Sequence, residues 1–294
     1  MRFPHLIEAV YYQPWSITPA GFQSIHALAR KRLLGGGDLL TEREQARLDA
    51  VKADGAETDF FGNPLPKLRI TADGVAIVPV KGMLILHGGL MERMCGACSY
   101  DDIKRDLNTA AGTRDIRKIV LDVSSPGGMS MGCGETAKLI EDIIGFGIPV
   151  EARTDTCIGS AAYYLVAACT KISITPSSTI GSVGSYTAIL DESKAYELAG
   201  LRMEVIRSGD VKGAGIPGTS LTDAQRADLQ ARCDEHGRLF REWVISHRMI
   251  DESLLQGQAF VGGQALVNGF ADELLFDIEE SDIPVEDDGE PEDS

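Results

Sequence analysis

Three short apolar runs, each followed by a turn and then a helix-spaced pattern, constrain this chain more than any other feature. Val75-Ala76-Ile77-Val78-Pro79-Val80 reads as a buried strand, after which Ser99 caps an amphipathic helix over 100–111. Ile119-Val120-Leu121-Asp122-Val123 is a second buried strand, ending at Ser124-Ser125-Pro126-Gly127-Gly128 before a helix whose apolar face carries Ala137, Ile140, Ile143 and Ile144. Val150 to Thr154 is the third, and leads through Asp155-Thr156-Cys157-Ile158-Gly159 into Ser160 and the apolar stretch Ala161-Ala162-Tyr163-Tyr164-Leu165-Val166. Strands that lack polar alternation need cover on both faces, and intervening helices supply it. The pattern predicts an α/β architecture with a largely parallel sheet. In such sheets the chemistry gathers where strands end and helices begin. Gly127-Gly128 and Ser160 both fall in turns of that kind.

The rest of the chain is organised around this block. Residues 1–70 read as an accessory arm and linker: an aromatic, proline-broken stretch at 11–19, a helical pattern from Phe22 to Leu34, and a capping-box start at Thr41 and Glu44. Residues 71–277 form the candidate catalytic domain. Within it, short strands are expected at 172–174 and 203–207, a helix at 192–198, a long helix from Thr222 to about His247, and a strand–helix–strand close over 257–275. Residues 278–294 are acidic and free of aromatics, the composition of a disordered tail. The net charge of −16 over 294 residues argues against nucleic acid or an anionic membrane as partner. With no run of about 18 apolar residues and no leader pattern, a cytoplasmic protein is expected. The six cysteines read as free thiols, and the lone Cys95-Gly96-Ala97-Cys98 has no second pair at zinc-site spacing, so no metal or cofactor is expected.

Ser160 has two readings. At the head of a small-residue helix it can be an N-cap, a common use of serine. It can also be a nucleophile, because unpaired N–H groups and the positive end of the helix dipole suit a developing oxyanion. Acyl transfer would need oxyanion donors, and the amides of the Gly127-Gly128 turn and of Ala161 are placed to supply them. It would also need a base. None of His5, His26, His87, His236 or His247 lies in a glycine-rich loop or at a strand end after Ser160. Lys212, in Ser208-Gly209-Asp210-Val211-Lys212-Gly213, is the lysine after Ser160 set among glycines and apolar residues. It can act as a base if burial depresses its pKa, and otherwise it is a solvated loop lysine.

Five motifs stand together in order: Ser124-Ser125-Pro126-Gly127-Gly128, Gly159-Ser160-Ala161-Ala162-Tyr163-Tyr164, Thr179-Ile180-Gly181-Ser182-Val183-Gly184, Ser208-Gly209-Asp210-Val211-Lys212, and Gly257-Gln258-Ala259-Phe260-Val261-Gly262-Gly263-Gln264-Ala265 with Gly269-Phe270-Ala271-Asp272. Over residues 74–277 their order and spacing resemble the signal peptide peptidase A (protease IV) family. That resemblance implies a ClpP/crotonase-like fold of repeated β-β-α units and a serine peptidase with a Ser/Lys dyad. Ser160 would be the nucleophile, Lys212 the base, and Gly127, Gly128 and Ala161 the oxyanion donors, with Ser182 orienting the lysine. Ala161-Ala162 departs mildly from the small residues usual after the serine. The place of ClpP's histidine falls near Ser185, which disfavours a His/Asp triad.

Within the family, the arm around Gln13-Pro14-Trp15-Ser16-Ile17 and the compact size look like the prohead proteases of tailed phages. That likeness implies protein substrates such as scaffold and portal proteins, a homo-oligomeric ring whose dyad can be completed between subunits, and a place in the host cytoplasm or prohead. A crotonase-like acyl-CoA enzyme, with the same fold but no need of Lys212, and a non-catalytic capsid-assembly protein are the rival readings.

Overall fold

A computed structural model describes residues 15–18, 21, 23, 65–88 and 96–276. The helices expected between 22 and 50, the linker up to residue 64, Cys95 and the acidic tail lie outside these residues.

The apolar runs form the centre of a six-stranded sheet, ordered β13-β10-β8-β6-β3-β2. Its core strands are β3 (Val75–Lys81), β6 (Lys118–Ser124), β8 (Val150–Thr154) and β10 (Lys171–Ile174), all parallel to one another. β13 (Glu273–Leu274) extends it in parallel at one edge, and β2 (Arg69–Ile70) closes the other edge antiparallel. Val78, Leu121, Ala152 and Ile172 are buried within one contiguous core, as strands covered on both faces must be.

Each core strand hands the chain on to a short strand in one of two smaller sheets. β3 leads to β4 (Met83–Ile85), β6 to β7 (Gly127–Met129), β8 to β9 (Cys157–Gly159) and β10 to β11 (Thr179–Gly181). Helices follow the short strands: α1 (Tyr100–Gly112) after β4 and β5 (Ala97–Ser99), α2 (Cys133–Gly145) after β7, and α3 (Ala161–Val166) after β9. The result is three successive β-β-α units, with the short strands gathered in two sheets, β7-β4-β5 edged by β1 (Trp15–Ile17) and β11-β9 edged by β12 (Ala259–Val261). Ser99 caps α1 as expected, accepting from the Asp102 amide at 3.0 Å. β12 (Ala259–Val261) and α4 (Ser193–Leu198) complete the expected elements near the C-terminal half, with α6 (Gly262–Val267) packed beside β12.

The strand expected at 203–207 does not form, and residues 200–222 hold no regular element. Met203, Ile206 and Val211 stay exposed, so no neighbour within the chain offers this segment a strand edge or an apolar face. The long helix α5 (Asp223–His247) does form, with the full capping box between Thr222 and Gln225. It serves the short helix α3. Trp243 stacks on Tyr164 with ring centroids 5.5 Å apart, and its indole N–H donates to the Tyr164 carbonyl at 2.9 Å. Phe240 packs on the same tyrosine. Just past α5, Arg248 donates to the carbonyls of Ala167 and Cys169, each at 3.1 Å, and to both oxygens of Asp272 at 2.8 Å. A side chain only 9% exposed thus ties the end of α3 to the last strand.

Removing such a buried hub leaves carbonyls and a carboxylate without their donor. Arg248→Ala is expected to lower unfolding free energy by roughly 3 kcal/mol in a urea titration. Arg238→Ala, which removes only the exposed pairs to Glu235 and Glu242, is expected to leave the midpoint nearly unchanged.

Candidate active site

Ser160 sits where β9 turns into α3, and its backbone is held in an unusual state. Its φ of 50° and ψ of −115° lie outside the regions that non-glycine residues ordinarily occupy. Flanking bonds fix that state: the Ser160 amide donates to the Gly181 carbonyl at 2.7 Å, and the Ser160 carbonyl accepts from Tyr164 at 3.0 Å. The side chain makes no capping hydrogen bond to the helix. The N-cap reading therefore fails on geometry, and strain of this kind is a feature of functional sites.

Backbone packing beside Ser160 leaves no room for a Cβ at Gly127 or Gly128. Ser125 bridges to Ile158, accepting from Gly159 at 2.9 Å and donating its amide to Cys157 at 3.0 Å, which brings the Gly127-Gly128 turn alongside β9. A Cβ on Gly127, whose φ is +96°, would fall 2.8 Å from the Gly159 carbonyl oxygen and 2.9 Å from the Ala161 amide nitrogen. On Gly128 it would lie 2.0 Å from the Leu84 carbonyl oxygen. Only glycine lets these chains approach so closely. The Gly127 amide donates to Ser125 Oγ at 3.2 Å, so it is already engaged within the turn.

An open cleft of about 320 Å³ runs up to Ser160. Ile17, Ser182, Gly184 and Tyr186 line one part of it, and Asp234, Gly237 and Arg241 of α5 line another. Ser182 also has a positive φ, of 58°, and its amide donates to the Gln258 carbonyl at 2.6 Å. Lys212 does not line this cleft. It is exposed on a turn, where its amide donates to Gly209 at 3.1 Å and its carbonyl accepts from Gln225 at 3.3 Å. Among the described residues no hydrogen bond joins it to Ser160 or Ser182. The structure thus gathers Ser160, Ala161, Gly127, Gly128 and Ser182 and leaves Lys212 at the surface.

Three participants were not expected from sequence. β1 (Trp15–Ile17) pairs antiparallel with β7, Tyr186 bridges to Trp15, and α5 contributes a wall of the cleft. The apolar–polar–apolar order Trp15-Ser16-Ile17 was the available strand signal, but three residues are too few for periodicity to register. Cys233 lines the cleft, and the Cys133 thiol donates to the Ala161 carbonyl at 3.4 Å. Burial pushes the thiols of Cys133 and Cys169 up to about 12, as it does for groups that must stay neutral in an apolar interior. Among the described residues no cluster suited to a metal ion exists.

Residues 145–279 match the model of Peptidase family S49. The chain is 30% identical over 277 residues to the head-tail preconnector protein GP5 of Enterobacteria phage P21, covering 92% of this chain and 55% of that protein. It is 26% identical over 285 residues to the capsid assembly protease C of Escherichia phage lambda, covering 93% of this chain and 63% of that protein. Protease 4 of Haemophilus influenzae is 24% identical over 205 residues, 68% of this chain and 32% of that protein. The chain therefore spans less than two thirds of the length of each of these relatives.

Two outcomes test this geometry. Gly128→Ala is expected to destabilise the protein by roughly 1–3 kcal/mol in urea, because the new methyl meets backbone rather than a movable side chain. Gly112→Ala, at a site with open space around it, is expected to be neutral or slightly stabilising. At pH 8, Cys133 and Cys169 are expected to resist iodoacetamide in the folded protein and to react on unfolding, as read by mass spectrometry.

Proposed function

We propose that this chain, which carries a Peptidase family S49 domain over residues 145–279, is a serine endopeptidase acting on proteins during assembly of a phage head. The observation that carries the reading is Ser160 itself, held at a strained strand-to-helix turn with its hydroxyl withheld from the helix cap. The names of the phage relatives, a head-tail preconnector and a capsid assembly protease, supply the process and its protein substrates. The host cytoplasm or the prohead interior is the corresponding place. Three successive β-β-α units support the ClpP/crotonase-like reading of the fold.

In the mechanism, Ser160 Oγ attacks a substrate carbonyl while the Lys212 ε-amine takes its proton. The amides of Ala161 and Gly128 hold the oxyanion, with Gly127 shaping the turn that presents them. The resulting ammonium protonates the leaving amine, and Lys212 then draws a proton from the water that hydrolyses the acyl-enzyme. A lysine serves as base when it is shielded from water, and Lys212 is exposed on its turn. We place its cover on a second copy of the chain. Leu198 and Ile206, 90% and 97% exposed, stand with Leu201, Met203 and Val211 on the segment leading to Lys212, an apolar surface suited to burial between subunits of a ring. Ser182 is the residue we assign to orienting the incoming lysine.

Ser160→Ala and Lys212→Ala are each expected to cut cleavage of a labelled casein by roughly 10³-fold or more. Mixing the two variants during assembly is expected to restore up to about a quarter of wild-type activity if the dyad forms between subunits. No recovery on mixing would place Lys212 within its own subunit's site, and substantial cleavage by either single variant would overturn the dyad.

A further inference from the structure

The strand β1 is held in a way that its own sequence neighbourhood does not explain. Both of its edges are paired. On one side Trp15, Ser16 and Ile17 stand opposite Met129, Gly128 and Gly127 in antiparallel register. On the other, the Trp15 amide donates to the Tyr186 carbonyl and the Tyr186 amide to the Trp15 carbonyl, each at 2.9 Å. Beyond the strand, the Thr18 amide donates to the Pro126 carbonyl at 2.8 Å. Trp15 and Ile17 are 0% and 2% exposed, yet neither belongs to the contiguous core of the β-β-α units. The strand lies in a channel between β7 and Tyr186.

That channel leads to Ser160. Ile17 and Ser160 line the same cleft. The Ser16 carbonyl oxygen lies 2.3 Å from the point a Gly127 Cβ would occupy, and the Ala161 amide nitrogen lies 2.9 Å from that same point. Thr18 Cγ2 stands 2.7 Å from where a Gly159 Cβ would be. The segment therefore lies across the glycines beside the nucleophile, with a carbonyl directed to the neighbourhood of an oxyanion donor. An extended peptide gripped through its main chain at a sheet edge, with alternate side chains in pockets, is the physics of strand addition.

We infer that Trp15-Ser16-Ile17 is the chain's own occupant of the substrate channel, blocking it in cis and displaying the kind of segment it accepts. The accepted class is an extended peptide running antiparallel to residues 127–129. A large apolar side chain fills the place of Trp15, a small polar one the place of Ser16, which sits 3.0 Å from Ser130 Oγ, and a second apolar one faces the Ser160 cleft in the place of Ile17. The inference rests on the reading of Ser160 as an acyl-transfer site for its catalytic meaning, although occupancy of the channel does not depend on it.

The test uses the full chain as wild type, Trp15→Ala and Ile17→Ala, with thermal midpoints measured for all three. A fluorescein-labelled peptide with the sequence of residues 12–20 is titrated by anisotropy, beside the same peptide carrying alanine at the tryptophan. The unaltered peptide is expected to bind the variants at least about tenfold more tightly than wild type, and the altered one to bind none of them. Casein cleavage is expected to rise at least about fivefold in both variants, since displacing a weaker strand takes less of the substrate's binding energy. Equal peptide binding by wild type and variants, or none by any, overturns the inference. Wild-type cleavage that neither variant exceeds overturns occlusion while leaving the peptidase reading in place. Selective binding to the variants with no cleavage by any chain upholds the occupant and overturns the peptidase reading instead.

Discussion

Backbone-to-backbone packing at Gly127-Gly128 is the constraint on which the candidate site depends. Three chain segments meet there: β4 through the Leu84 carbonyl, β9 and α3 through Gly159 and Ala161, and β1 through Ser16. None of them could approach as it does if a Cβ stood at either glycine. Because the contacts are between main chains, they set the positions of amide donors without relying on rotamers, and such donors need no reorganisation when charge develops. The large parallel sheet supplies rigidity behind this point, since β6 delivers the glycine turn and β8 delivers Ser160 from adjacent positions in the same sheet.

Helix α5 contributes a different kind of support. Ser160 heads a helix of only six residues, too short to be stable by itself. Its carbonyl ends are taken up instead by distant side chains, the Trp243 indole at Tyr164 and the Arg248 guanidinium at Ala167 and Cys169. The strained turn at Ser160 thus stands on a helix that is braced from outside, which is how a local conformational cost persists in a folded protein.

Much of this was legible in the sequence. The buried strands at 75–80, 119–123 and 150–154 were readable because long apolar runs have few other uses, and the Thr222 cap marked α5 to the residue. Ser160 and the double glycine were legible as a turn and a helix head. What set the cap reading aside was an absent side-chain hydrogen bond together with a pair of backbone angles, which no residue pattern encodes. The segment 203–207 misled because Met203, Val205 and Ile206 look like a strand, whereas apolar residues without a partner in the same subunit do not make one. Lys212 was singled out by its glycine-rich setting, and its exposure could not be read from that setting. The pairing of Trp15 with residues more than a hundred positions away is a matter of long-range contact, on which local periodicity is silent.

The short strand β1 also sets a scale for what the channel can answer to. A segment tethered to the same chain competes at an effective concentration on the order of millimolar, whatever the protein's own concentration. A free peptide of ordinary affinity at micromolar levels would lose that competition nearly always. Partners packed side by side in a confined shell reach local concentrations comparable with the tether's. Under the inferred occlusion by Trp15-Ser16-Ile17, the channel is insensitive to dilute protein and responsive to crowding.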